Sequence, residues 1–360
     1  MTQEIIYIDI ASLIKIGFIG VISFFITLFS TPILTYFLYK YKFYPRFKEK
    51  DADWKKQPDY LKLKELHSNK KTTPRAGGII IWIIPLFIAF LFYFLAKLVP
   101  LPFFQKLNFL SREQTWLPLF TLVGAGILGL IDDFYSVFGK NQEKGLSLYV
   151  KFFWQFLIAV VASLWFFYKL GYNTIHIPGW GTINIGIFYI PLAIILILTF
   201  INAVNITDGL DGLAGGVAIT SFLALAGIAF AAGQIDLASF SAAMIGSLIA
   251  FLWFNIYPAR FFMGDTGSLA IGATLAVLAM LENAIFAFFI IGFIFVLEVT
   301  SSFIQIISVK FFKKKIFKIA PLHHHFQLKG WPEPKIVMRF WLISSIFAVI
   351  GLIIGILGRG

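Results

Sequence analysis

In this chain of 360 residues, four short stretches hold the polar residues whose types and spacing could do chemistry. The first is Asp132-Asp133, at the end of the apolar run Leu-Gly-Leu-Ile-Asp-Asp-Phe. A carboxylate at a helix C-terminus opposes the helix dipole, and two adjacent carboxylates repel each other. A bound cation relieves both costs. The second is Asn202-Ala-Val-Asn-Ile-Thr-Asp-Gly-Leu-Asp-Gly-Leu213, with Asn205, Asp208 and Asp211 as oxygen donors. Gly209 and Gly212, around Leu210, allow tight turns and close approach to a ligand. Such a density of oxygens suits a nucleotide or a hard cation, because Mg2+ binds through a few carboxylates plus phosphates and water.

The third stretch runs from Trp253 to Ser268 and carries Asn255, Phe261, Phe262, Gly264 and Asp265. Gly264 and Ser268 flank the start of the next apolar run, where backbone amides can face an anion. Either Phe261 or Phe262 offers a ring on which a base can stack. The fourth stretch, Pro321 to Lys335, holds His323, His324 and His325 in a row. Adjacent residues rarely all face one metal, and zinc sites draw ligands at wider spacing. Phosphate binding, with one histidine as acid or orienter, is the expected chemistry. A smaller feature, His67 to Gly78, places Lys70, Lys71 and Arg75 for anions and carries Thr73, with Lys144 and Lys151 as further cations. Glu298 lies inside an apolar run, where a carboxylate is a functional suspect. Hydrogen bonds to Ser301, Ser302 or a neighbouring helix would serve it equally well.

The elements that position these residues are membrane helices. Hydrophobic residues make up 59% of the chain and charged ones 13%, and mean hydropathy is +0.85. Apolar runs recur that are long enough for roughly 30 Å of hydrocarbon, which takes about 20 residues of helix. Helices satisfy their backbone within each segment, and the period-2 alternation of a membrane β-barrel is absent. Ten spans are expected, at 13–39, 77–99, 116–132, 148–170, 185–204, 213–232, 238–257, 268–281, 284–309 and 338–357. The fold class is therefore an all-α, polytopic membrane protein, read as one domain over 1–360. The segment 174–185 alternates around Pro178-Gly179 and reads as a small hairpin. The first span is read as a retained helix, since no cleavage site follows it. The absence of cysteine excludes disulfides, thiolate metal sites and a cysteine nucleophile.

The net charge of +12 is unevenly spread. The segment from Lys40 to Arg75 is rich in Lys and Arg, which places it in the cytoplasm by the positive-inside rule. Parity then puts 133–147, 205–212, 258–267 and 310–337 inside as well, and both termini outside. All the chemically unusual stretches fall at the cytoplasmic ends of spans. No nucleic-acid partner is expected.

These motifs, in this order, resemble those of the polyprenyl-phosphate N-acetylhexosamine-1-phosphate transferase superfamily. The likeness covers about His67 to Arg339. The pair "NAVNITDGLDGLAGG" and "FMGDTGSL" carries the superfamily, and "PLHHHFQLKGWPEPKIVMRFW" points to its muramoyl-pentapeptide branch. The resemblance implies transfer of phospho-MurNAc-pentapeptide from its UDP carrier to undecaprenyl phosphate, giving lipid I and UMP, with Mg2+ as cofactor. It implies a homodimer among the lipids of a bacterial inner membrane. By the same resemblance Asp132, Asp133 and Asp265 match essential acids and candidate metal ligands. Asn205, Asp208 and Asp211 match nucleotide-side polar residues, Phe262 the ring that stacks on uracil, and Lys70 a uridine-side lysine. His324 lies in the triple-histidine motif and is counted with the catalytic residues. The chain departs from the pattern twice. Thr73-Pro-Arg-Ala-Gly-Gly78 replaces a Thr-Pro-Thr-Met-Gly-Gly stretch, and Ser136 stands where a lysine is common. Lys140 is a possible substitute for that lysine.

Phosphoryl transfer relies on positioning and charge neutralisation more than on covalent chemistry by the protein. Asp132 or Asp133 is assigned as proton acceptor or orienter of the attacking phosphate, and a two-step route through an aspartyl-phosphate stays open. Two rivals are weighed: a sister enzyme using UDP-N-acetylglucosamine, and a cation-coupled transporter. Transporters place their ion sites near the bilayer midplane, whereas these acids gather at one face.

Overall fold

In a computed structural model the described residues are 10–44, 58–66, 70, 72–99, 101–110, 113–139 and 145–358. Among them, ten helices are long and apolar enough to cross a membrane. They are α1 (Ile10–Lys40), α3 (Ile79–Leu98), α5 (Glu113–Phe138), α6 (Leu148–Leu164, continued by a π-helical turn to Lys169), α7 (Tyr189–Thr207), α8 (Leu213–Ala231), α9 (Ile235–Asn255), α10 (Gly264–Leu281), α12 (Phe293–Ile307, with a second π-helical turn to Phe312) and α14 (Glu333–Leu357). Four short helices join them: α2 (Pro58–Leu66), α4 (Pro102–Leu107), α11 (Ile285–Ile291) and α13 (Leu322–Leu328). The hairpin forms as expected, β1 (Thr174–Ile177) pairing antiparallel with β2 (Gly181–Asn184) around the Pro178-Gly179 turn.

At the centre stands α10, every residue of which is buried. It packs against α5, α7, α3 and α8. Its sequence explains the position, for Gly267, Ala270, Gly272, Ala273 and Ala276 leave little side chain to hold neighbours away. Small residues permit backbone contact between helices in lipid. On α5, Gly129 lies against the Asp265 and Thr266 backbone so closely that any Cβ would collide with it. This contact brings the C-terminal end of α5 to the N-terminal end of α10, where the site forms. The outer helices turn apolar faces outward, as Phe29 and Ile33 on α1 and Leu342 and Ile346 on α14 show. Lipid-facing surface is expected to look like this, since chain and bilayer core are equally apolar.

Boundaries differ from the sequence reading in several places. The expected span 116–132 runs on to Phe138, so Asp132 and Asp133 lie within α5 and not at its very end, and the expected span 338–357 begins at Glu333. The expected span 268–281 begins at Gly264, which puts Asp265 in the first helical turn. The expected span 284–309 is divided, with Gly292 capping α11 and opening α12. Hydropathy is blind to such a break, because apolar residues continue on both sides of it.

Candidate active site

Asp132 and Asp133 in the last turns of α5 meet Asp265 in the first turn of α10. One carboxylate oxygen from each lies within 4.8 Å of the others. Asp265 sits at the favourable end of a helix dipole. Its Oδ1 accepts a hydrogen bond from Asn205 Nδ2 at 2.9 Å, and the same amide donates to Ser268 Oγ at 2.9 Å. Lys151 of α6 pairs with the other Asp265 oxygen and lies 4.0 Å from Asp132 Oδ2. Asp132 Oδ1 accepts the Leu146 amide at 2.9 Å.

Asp133 is held differently. Its Oδ2 accepts from the Thr266 amide at 3.0 Å and from the Thr266 hydroxyl at 2.7 Å. Its Oδ1 is buried with no hydrogen-bond partner and faces Arg75 Nε at 3.9 Å. Gly264, at φ +71°, turns the chain beside this carboxylate, and a Cβ there would strike it. Ser136, one turn on, donates to the Asp133 carbonyl at 2.7 Å.

Three carboxylates thus face two cations, Lys151 and Arg75. The donors are all oxygens, a set that suits Mg2+ rather than zinc. The excess negative charge and the hydrogen-bond-free Asp133 Oδ1 fit a divalent ion held by Asp132, Asp133 and Asp265.

A cleft of about 150 Å³ adjoins the acids. Asp208, Gly209, Leu210 and Asp211 form one wall, and Asn255, Phe262 and Gly264 another, with Lys70 and Arg75 between them. Burial pushes the Asp208 carboxyl well above the ordinary carboxylate range, while Arg75 pulls it the other way. Burial also disfavours the Arg75 charge, but Asp133 and then Asp265 outweigh this and leave its pKa raised. Packing places the two phenylalanines differently. Phe261 is fully buried against Phe251 and Phe254, and Phe262 lines the cleft with Lys70 Nζ 5.8 Å from its ring centroid. Thr73 lies in a neighbouring cavity of about 530 Å³ that also touches Lys70 and Asp211.

The three histidines diverge. His323 is fully buried; its ring lies against Gly209, with Nδ1 3.1 Å from Glu298 Oε2. Glu298 also accepts the Leu322 amide at 2.9 Å and the His323 amide at 3.1 Å. It therefore caps α13 from a neighbouring helix, while Ser301 and Ser302 donate only to its carbonyl. His324, whose Nδ1 is 2.8 Å from Gln327 Oε1, lines a different cavity of about 650 Å³ with Gln305, Lys315 and Lys318. His325 Nδ1 accepts the Lys318 amide at 3.1 Å. Burial lowers the His325 pKa, and Lys329 and Lys318 lower it further. Of the three rings, His323 is the one built against the Asp208–Asp211 wall. Lys71, Lys140 and Lys144 lie outside the described residues. The sequence reading missed Thr266, Glu333 and the Leu146 amide, which carry no catalytic signature of their own.

Ten membrane helices, a buried cluster of acids and a polar cleft at their ends define a membrane transferase of the kind described as Glycosyl transferase family 4, whose pattern matches residues 115–283. The chain is 38% identical over 338 residues to a phospho-N-acetylmuramoyl-pentapeptide-transferase of Geobacillus sp. (strain WCH70), covering 93% of this chain and 96% of that one. It is 36% identical over 334 residues to the protein of that name from Anoxybacillus flavithermus, covering 92% and 95%. With the Citrifermentans bemidjiense protein it shares 39% over 306 residues, covering 80% and 81%. The chain belongs to the phospho-N-acetylmuramoyl-pentapeptide-transferase family.

Proposed function

We propose that this chain transfers phospho-N-acetylmuramoyl-pentapeptide from UDP-MurNAc-pentapeptide to undecaprenyl phosphate, releasing UMP and lipid I, at the cytoplasmic face of a bacterial inner membrane. The observation that carries the reading is the meeting of Asp132, Asp133 and Asp265 beside a cleft walled by Asp211, Asn255 and Phe262. One side is suited to a diphosphate with its cation, and the other to a nucleoside.

Asp132, Asp133 and Asp265 would hold Mg2+, which would supply positive charge to offset that of the diphosphate and of UMP as leaving group. Lys151 and Arg75 add fixed positive charge beside the reacting phosphates. Thr266 fixes one oxygen of Asp133 and leaves the other directed at the site. Asn205 sets the Asp265 rotamer. Phe262 supports the base, while Lys70 and the Asp208–Asp211 turn close the nucleoside side. The acceptor is a phosphate monoester with a second pKa near about 6, so it is largely dianionic at neutral pH. A strongly basic residue is therefore not required, and Asp133 acts chiefly as orienter. The layout suits both substrates, a soluble nucleotide reaching the cytoplasmic ends of the helices and a lipid whose phosphate lies at headgroup level.

The test is UMP release and lipid product from purified protein given UDP-MurNAc-pentapeptide, undecaprenyl phosphate and Mg2+, with parallel reactions using EDTA and UDP-N-acetylglucosamine. Metal-dependent UMP from the muramoyl donor alone supports the reading. Turnover of the other donor moves the protein to the sister branch. No UMP from either donor, in folded protein, overturns it.

A further inference from the structure

The Asp208–Asp211 turn lines the nucleotide side of the cleft and is tied to residues of other elements. Asp211 uses one oxygen on Lys70 at 2.6 Å and the other on the Ala259 amide at 3.0 Å. The remaining support comes from α14 and α9. Glu333 Oε1 accepts from Lys70 Nζ at 2.6 Å and from the Asp211 amide at 2.7 Å. Two turns further along α14, Trp341 Nε1 donates to the Gly212 carbonyl at 3.2 Å, and Asn255 Oδ1 accepts the Gly212 amide at 3.0 Å.

Glu333 is itself well anchored. It stands between Pro332 and Pro334 at the first turn of α14. There proline fits the helix start, and a carboxylate is favoured by the dipole. Its side chain is 9% exposed, so its bonds to Lys70 and Asp211 are poorly screened by water. It does not line the cleft of the acids; it lines the neighbouring cavity of about 530 Å³, which shares Lys70 and Asp211 with that cleft. Glu333 thus reaches the cleft only through Lys70 and the Asp211 backbone.

We infer that Glu333 is a positioning residue for the uridine nucleotide. It holds the Lys70 ammonium and the Asp211 turn in the arrangement that receives the nucleoside, while touching neither donor nor acceptor. The inference rests on the proposed function, for it concerns the nucleotide side of that same site. Charge-assisted hydrogen bonds to a buried carboxylate are among the stronger polar interactions in a protein. Replacing this carboxylate by an isosteric amide keeps an acceptor for the Asp211 amide but removes the charge that restrains Lys70.

The test compares wild type, Glu333→Gln, Lys70→Met and the double variant in detergent. Three quantities are read: KM for the UDP donor, KM for the lipid acceptor with kcat, and UMP affinity by calorimetry. Glu333→Gln is expected to raise donor KM and weaken UMP binding by roughly tenfold, with kcat and acceptor KM within about twofold. In the Lys70→Met background the same change should add less than about twofold, because the two residues act as one unit. A folded Glu333→Gln protein with unchanged UMP affinity overturns the inference. So does a loss confined to kcat, or full additivity with Lys70→Met. Wild type that binds UMP but turns over neither sugar donor overturns the functional reading alone, and the Glu333 contrast is still decided by UMP affinity. Wild type that binds no UMP overturns both.

Discussion

Arg75 Nε lies 3.9 Å from Asp133 Oδ1, the one oxygen of that carboxylate that no hydrogen bond occupies. This guanidinium stands where the Thr-Pro-Thr-Met-Gly-Gly pattern has no cation, and the position where a lysine is common is Ser136, whose hydroxyl is spent on the Asp133 carbonyl. Arg75 therefore brings to the acids, from a different element, a charge that α5 lacks at 136. Arg75→Ala is expected to lower kcat/KM by roughly ten- to a hundredfold, from the loss of about 1.5–3 kcal/mol of charge-assisted interaction. Arg75→Lys should retain part of the activity. Steady-state UMP release, with folding checked by thermal unfolding, measures both.

Removal of metal should abolish turnover, and Mg2+ should restore it. Asn205 bears on the same centre from one bond further out, because it orients Asp265. Asn205→Leu is expected to weaken Mn2+ binding, read by electron paramagnetic resonance as a stand-in for Mg2+, by roughly ten- to a hundredfold. Asp265→Asn should weaken it at least as much. Unchanged Mn2+ affinity in both variants would remove Asp265 from the metal site.

Glu298 predicts a stability effect with little direct bearing on chemistry. Its carboxylate accepts two amides of α13 and meets the His323 ring. Glu298→Ala leaves these buried donors unsatisfied, at a cost of about 2–4 kcal/mol. Thermal unfolding followed by tryptophan fluorescence should show a midpoint lowered by several degrees, with Glu298→Gln intermediate. Equal midpoints for all three proteins would mean that α13 is held by other contacts.

His325 gives a pH-dependent signal. Its pKa lies below the ordinary 6.5 because burial, then Lys329 and Lys318, disfavour the cation. A group with a depressed folded pKa favours the fold in its neutral form. Its contribution is complete above the unfolded value and is lost as pH falls through the folded one. The bond at risk is the Lys318 amide to His325 Nδ1. Hydrogen exchange at Lys318, corrected for intrinsic rate, should show steady protection above about pH 7 and decline below about pH 6. In His325→Gln, whose side chain does not titrate, the decline should vanish; a flat wild-type profile would count against the bond.

How much of this was legible beforehand follows from the kind of information each feature carries. The membrane spans could be read because hydropathy is a local property, and residues 148–170 and 213–232 came out within a residue of the helices observed. The start of α10 could not, since Gly264 to Gly267 look like a loop until their burial is known. The acids of the site were legible one by one as polar residues at the ends of apolar runs. Their partners were not. Thr266 is an ordinary threonine until Asp133 of another helix meets its amide and hydroxyl. Glu333 reads as a helix-start acid between two prolines.

The His-His-His run marks the division. Sequence alone determined that three imidazoles stand in a row near other polar groups, and that they are poorly spaced for one metal. Only the tertiary structure decided that they serve three different surroundings: His323 between Glu298 and Gly209, His324 facing the cavity beside Lys315, and His325 bound to Lys318. The same holds for the acids. Composition, span length and charge bias determined a polytopic membrane protein with its polar residues at one face. That Asp132 and Asp133 share a site with Asp265, more than a hundred residues away in sequence, depends on Gly129 allowing α5 onto the backbone of α10. A helix crossing of that kind is set by shape complementarity between distant segments, and no local pattern of residues encodes it.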